Sequence, residues 1–284
     1  MSVTGNHSIM NHAEYSPPDP LPESTAGNQD PLRDAFGIDQ EYIRRCSRTL
    51  FRLLSDFYWR VETQGLEHIP REGRAVLVGT HRGFMPWDAI MTLHLLVRGT
   101  GRFPRFLTHP GLFKFRLLGR IFSKLGGVLA CQENAGRLLE TGQVVGIYPE
   151  GVQGAFALHR NAYQLQPSWR NTFAKLALRH RAPIIPFVNV GSADSLPVFA
   201  QIKSRAWRRF ALWPCIPMST FPFIPVPLPS KWRLQFMPPI HVERQFPPEA
   251  AENAALVRSI AGDVKRAMQE TMESMVRTRR SIFF

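Results

Sequence analysis

A chain of 284 residues, 44% of them hydrophobic and 20% charged, has enough apolar material for a sizeable core in one large domain or two small ones. Its net charge of +13 calls for a negative partner: nucleic acid, anionic lipid or a phosphate-bearing substrate. The sequence lacks zinc-ligand spacing and aromatic-interleaved basic repeats, which excludes the common nucleic-acid modules. Three widely spaced cysteines (Cys46, Cys131, Cys215) fit neither a disulfide framework nor a metal site and point to a reducing compartment.

Residues 1–36 are rich in Pro, Ser, Asn and Asp, show no apolar period and carry five acids against one base. They read as a disordered acidic tail, which leaves +17 on a single domain over 37–284. The tail has no basic start followed by an apolar run, so it is not a signal peptide. Residues 39–60 read as an amphipathic helix capped by Asp39, with Ile43, Cys46, Leu50, Leu54 and Phe57 at helical spacing among four arginines. "AVLVGTH" (75–81) reads as a buried strand, and "PWDAIMTLHLLVR" (86–98) as a helix entered at Pro86. A strand at 105–109, a basic amphipathic helix at 111–127 and a weak strand over "GVLAC" follow, then a helix at 133–142 ending at Gly142.

"VVGIYPEG" (144–151) is a strand running into a turn. A helix at 169–183 stops at Pro183, and 184–191 is another buried strand. The apolar segment 213–229 holds six prolines and cannot cross a bilayer as one helix. No run of about 18 apolar residues occurs, so no spanning helix is predicted. A late strand at 231–240 precedes a long helix at 250–278. Strands alternating with helices predict an α/β fold with a largely parallel sheet flanked by helices. Ligands gather at the carboxyl ends of such strands, where Thr80-His81, Pro149-Glu150-Gly151 and Asn189 fall.

His81 and Asp88 could be a general base and the carboxylate that orients it. The same residues also suit a plain strand-to-helix turn, with Asp88 favoured in the first helical turn. In "YPEGVQG", exposed backbone donors could hold a phosphate or hydroxyl, and Glu150 could bind acceptor hydroxyls; the alternative is a tight turn with a solvent-facing glutamate. There is no G-x-S-x-G elbow, P-loop or dinucleotide fingerprint.

Four blocks in order, "THRGFMPWD", "GRIFSKLGG", "YPEGVQG" and "APIIPFVNVG", resemble the glycerophospholipid acyltransferase family over about residues 65 to 245. They are similar to its lysophosphatidic acid acyltransferases, and to a bacterial-type subgroup with a longer His-to-Asp spacing. The resemblance implies a glycerol-phosphate acyltransferase-like fold and direct acyl transfer from acyl-CoA or acyl carrier protein to a hydroxyl of a lysophospholipid or related glyceride. His81 would deprotonate the hydroxyl, Asp88 would orient His81, and Glu150 and Gly151 would help bind the acceptor, with no metal or bound cofactor. Two departures stand out. Six residues separate His81 from Asp88 where the family has four, and no arginine is in register in the second block. Arg82, Arg120 and Lys124 are the nearby cations, which leaves both a phosphate-bearing and a neutral acceptor open.

The basic helices at 39–60 and 111–127 suit an anionic membrane surface, so a peripheral position on the cytoplasmic face is expected, with no nucleic-acid partner. Segment 213–229 could dock into lipid or line an acyl groove. The competing reading is a non-catalytic lipid-binding protein on the same fold.

Overall fold

The computed structural model describes residues 34–83, 85–203, 215–220 and 226–283. The acidic tail therefore lies outside the described residues except for Asp34–Phe36. These are anchored: the Asp34 carboxylate accepts from the Phe36 N–H at 2.9 Å and pairs with the buried Arg105.

The helix expected over 39–60 is three pieces. Asp39 caps α1 (Gln40–Arg48) by accepting from the Tyr42 N–H at 2.9 Å. At Thr49 (φ −117°) the backbone leaves the helical region, while the side-chain hydroxyl donates to the Arg45 carbonyl at 2.9 Å. The chain resumes as α2 (Leu50–Leu53) and a π turn, Leu54–Tyr58. The break turns Phe51 and Ser55 into the core and leaves Leu50, Leu53 and Phe57 exposed.

A short strand β1 (Glu62–Gln64) leads to β2 (Ala75–Gly79) and α3 (Trp87–Thr100), which ends at Gly101. Then come β3 (Arg105–Thr108), α4 (Arg116–Lys124), β4 (Gly127–Leu129) and α5 (Gln132–Glu140). The helix expected from 111 starts late because Pro110–Leu112 form a 3-10 turn. Strand β5 (Val144–Ile147), α6 (Gly151–Ala155), α7 (Thr172–Arg179), β6 (Ile184–Val190) and α8 (Ser192–Ser195) follow. An antiparallel hairpin, β7 (Val198–Ile202) with β8 (Ile216–Ser219), takes up part of the proline-rich segment, of which 213–214 and 221–225 lie outside the described residues. Strand β9 (Arg233–Phe236) stops before Pro238-Pro239, shorter than the 231–240 expected. After α9 (Val242–Gln245), Asn253 caps α10 (Ala254–Arg277) by accepting from two backbone N–H groups at 3.1 Å each.

The main sheet runs β1-β9-β6-β2-β5-β3-β4. All neighbouring pairs are parallel except β6 with β9. The mostly parallel α/β expectation therefore holds. Side chains of β6 alternate between two cores: Ile184, Val188 and Val190 pack with α5, α7 and α10, while Ile185 and Phe187 pack with α3 and the stacked Trp59–Trp232 pair. Since β2 lies between β5 and β6, the three polar strand ends noted in the sequence share one edge of three adjacent strands.

On the α3 side, His94 is 1% exposed, 3.1 Å from the Ser55 hydroxyl. Burial first, then Arg98, push its pKa down to about 4. The unfolded chain binds a proton near pH 6.5, the folded one only near pH 4, so stability is complete above 6.5 and falls as pH drops toward 4. Chemical unfolding from pH 7 to pH 4 should show His94→Leu losing less stability than the parent, by up to about 3 kcal/mol; equal losses would contradict this.

Candidate active site

Past the end of β2, the chain turns through Thr80–Pro86 into α3. Gly79 is needed at the edge because a Cβ there would sit 2.1 Å from the Phe187 ring. Gly83, at φ 81°, takes up the extra turn length in a conformation that other residues resist. The six-residue spacer therefore bulges without separating its ends. His81 Nδ1 lies 2.7 Å from Asp88 Oδ2, which also accepts from the Arg82 N–H at 2.9 Å. The other carboxylate oxygen accepts from the Ala89 N–H at 2.8 Å. A carboxylate only accepts, so the imidazole proton sits on Nδ1, and Nε2 carries the free lone pair. Asp88 is 1% exposed, while His81 keeps 17% of its side chain open.

The imidazole stacks on Tyr148, with ring centres 4.6 Å apart and planes at 23°. Tyr148 stacks in turn on Phe106 at 5.7 Å. Burial, and then Asp88, hold the Tyr148 phenol well above its usual pKa, so it stays neutral beside the dyad.

Arg82 and Glu150 come together, but on each other. Arg82 Nη1 donates to Glu150 Oε2 at 2.6 Å and to the His81 carbonyl at 2.7 Å. The same guanidinium holds the Ala162 and Gln164 carbonyls, and Glu150 Oε1 accepts from the Gln166 N–H at 2.7 Å. Both residues are 2% exposed. The pair ties the His81 turn to the segment after β5. Gly151 opens α6 at φ 54°.

Arg120 and Lys124 are not brought to the dyad. In a parallel βαβ unit the helix runs back from the carboxyl edge, so Lys124, at the end of α4, sits at the opposite edge. There it lies 3.9 Å from Asp39 and over the Tyr42 ring. Arg120 is exposed, and among the described residues no hydrogen bond or ion pair joins it to His81, Asp88 or Glu150. A cation that sequence reasoning missed is closer. The Arg170 guanidinium carbon lies 4.0 Å from where a Cβ would stand on Gly151; burial first, and then the Arg170 charge, lower the His109 pKa. Only folding of 156–171 brings it there, so no local signal marked it.

An apolar cavity of about 40 Å³ is lined by Pro86 and Ala89 at the start of α3 and runs between α3 and α4 past Leu93, Leu112 and Phe122. Among the described residues no group of three or more His, Cys, Asp or Glu could hold a metal ion.

The Arg82–Glu150 pair makes the site sensitive to unbalanced charge. Arg82→Met, which strands a buried carboxylate, should cost about 3–5 kcal/mol in denaturant unfolding, and adding Glu150→Met should recover part of it. A single variant as stable as the parent would contradict the pairing.

Three comparisons bear on this arrangement. Residues 60–190, which span the dyad, the Glu150 turn and β6, match the family described as Acyltransferase. An uncharacterized protein of Mycobacterium tuberculosis is 33% identical over 261 residues, 88% of this chain and 71% of the relative. A Bos taurus protein named "DGAT1/2-independent enzyme synthesizing storage lipids" is 30% identical over 128 residues, 44% of this chain and 37% of its own. In fold, the chain is similar to the crystal structure of the 1-acyl-sn-glycerophosphate acyltransferase PlsC from Thermotoga maritima, at a TM-score of 0.54 and 18% identity, covering 85% of this chain and 80% of that one. The chain belongs to the acyltransferase family.

Proposed function

We propose that this chain is an O-acyltransferase that moves a fatty acyl group from a thioester, acyl-CoA or acyl carrier protein, to a hydroxyl of a lysophospholipid or related glyceride. The observation that carries the reading is the His81–Asp88 contact of 2.7 Å, which leaves the second imidazole nitrogen, Nε2, for the substrate. His81 Nε2 takes the proton of the acceptor hydroxyl as its oxygen attacks the thioester carbonyl carbon. Asp88 steadies the imidazolium that forms. The tetrahedral intermediate then expels the thiolate, which takes the proton back from His81, so alcohol plus thioester becomes ester plus thiol. No acyl-enzyme forms, and no metal or bound cofactor enters. In this reading the acyl chain enters along the apolar cavity, once the 3-10 turn at Leu112 and α4 at Phe122 yield.

Arg82 and Glu150 act in this reading by fixing the His81 turn and shaping the acceptor side, since their charges are spent on each other. With Lys124 turned away, a phosphate on the acceptor would be met by Arg170. The bovine relative, named for the synthesis of storage lipids, favours a neutral glyceride. The non-catalytic lipid-binding alternative called for an imidazole and a carboxylate pointing apart, and the observed contact weighs against it.

Purified protein should consume acyl thioester when lysophosphatidic acid, other lysolipids or mono- and diacylglycerol are screened as acceptors. His81→Ala should lower turnover roughly 10²- to 10⁴-fold and Asp88→Asn should lower it strongly, both with an unchanged fold. Wild-type-like turnover by His81→Ala would refute the mechanism.

The acceptor class implies a lipid surface. Phe115, Leu117 and Leu118 are exposed next to Lys114, Arg116 and Arg120, and Leu50, Leu53 and Phe57 are exposed after Arg45 and Arg48. Among the described residues no helix is long and apolar enough to cross a membrane. The reading is peripheral attachment to an anionic bilayer, on the cytoplasmic face, with apolar side chains inserted and bases adding about 1 kcal/mol each. Phe115→Ser with Leu117→Ser should weaken co-sedimentation with phosphatidylglycerol vesicles at least tenfold. Unchanged sedimentation would place the contact elsewhere.

A further inference from the structure

Three polar clusters share the carboxyl edge of β5, β2 and β6. The dyad and the Arg82–Glu150 pair account for two of them, and Asn189 is the third. It is 2% exposed, and its side-chain oxygen Oδ1 is buried without a hydrogen-bond partner. A buried acceptor left unpaired is costly, so its retention calls for an explanation.

Its position follows from register. Strands β2 and β6 are parallel, with Gly79 paired to Phe187. Two residues further on, 189 comes alongside 81. The Asn189 N–H donates to Thr80 Oγ1 at 3.0 Å, which keeps β6 beside the chain after β2 has ended. Alternation along β6 turns Asn189 to the same side as Ile185 and Phe187, the α3 side, where His81 also lies. His81 stacks on Tyr148 after β5, and the register puts Asn189 on the neighbouring strand at the other side.

Oδ1 can only accept, so its missing partner is a donor. The attacking hydroxyl has one proton, and that proton goes to His81. A second hydroxyl on the substrate is a donor of the right kind. A carboxylate at this place would add a second negative charge beside the imidazole and make it harder to discharge; an amide accepts without that effect. Resting on the acyltransferase reading, we propose that Asn189 is a specificity-determining residue that accepts a hydrogen bond from a second hydroxyl of the acceptor, next to the one acylated. The acceptor class is then a glyceride with a free vicinal diol.

The test compares 1-monoacylglycerol with the matched monoacyl ester of 1,3-propanediol, which lacks the middle hydroxyl. Wild-type protein should use the diol with a kcat/KM roughly 10- to 100-fold higher, the factor one hydrogen bond of this kind carries. Asn189→Leu should remove that preference by weakening the diol alone, with the thioester KM and the melting temperature near the parent's. Asn189→Asp, which still accepts, should keep the preference while the acid limb of the pH profile moves upward. A wild type indifferent to the middle hydroxyl would overturn the proposal, as would a folded Asn189→Leu that keeps the preference or loses both acceptors equally. Acyl transfer itself would stand in each of those cases. No thioester turnover by the wild type with any acceptor would instead sink the acyltransferase reading.

Discussion

An imidazole bound through Nδ1 to a buried carboxylate is the contact on which the rest of the site depends. It forms because β2 delivers the chain to the sheet edge and α3 starts only eight residues after that strand ends. Asp88 cannot stray: it is 1% exposed, and both of its oxygens also accept backbone N–H groups of the same turn. Those bonds cost the carboxylate none of its grip on His81 and fix the tautomer that leaves Nε2 free. The Tyr148 ring then limits how the imidazole can tilt.

Charge is handled by the same economy around the dyad. Arg82 and Glu150 are each 2% exposed, and their ion pair, with four further hydrogen bonds, joins the His81 turn to the segment after β5. The ring stacked on the imidazole, Tyr148, is neutral. Apart from Asp88 itself, the charged groups of this turn are held on each other.

Much of this was legible in the sequence. Buried strands such as Ala75–Gly79 and Ile184–Val190 are continuous apolar runs that alternate with helical patterns, so the α/β sheet could be read directly. The His81–Asp88 pair was visible too, because both partners lie in one turn. What escaped was set by contacts distant in sequence. Strand β1 is only Glu62–Gln64, a polar stretch made a strand by β9 some 170 residues later. The break at Thr49 interrupts a helical pattern that gives no warning of it. Glu150 looks solvent-facing in its turn, yet its partner Arg82 lies 68 residues back. Lys124 looked close to the site along the chain but stands at the other end of α4, and Arg170 was the reverse case.

The central claim is that Asp88 holds the proton of His81 on Nδ1 and leaves Nε2 as the base. Nitrogen-15 NMR of imidazole-labelled protein at neutral pH reads this directly. The account predicts that the hydrogen on His81 Nδ1 gives a downfield, slowly exchanging signal that disappears in an Asp88→Ala variant. A His81 protonated on Nε2, or one whose nitrogens are unchanged when Asp88 is removed, would contradict it.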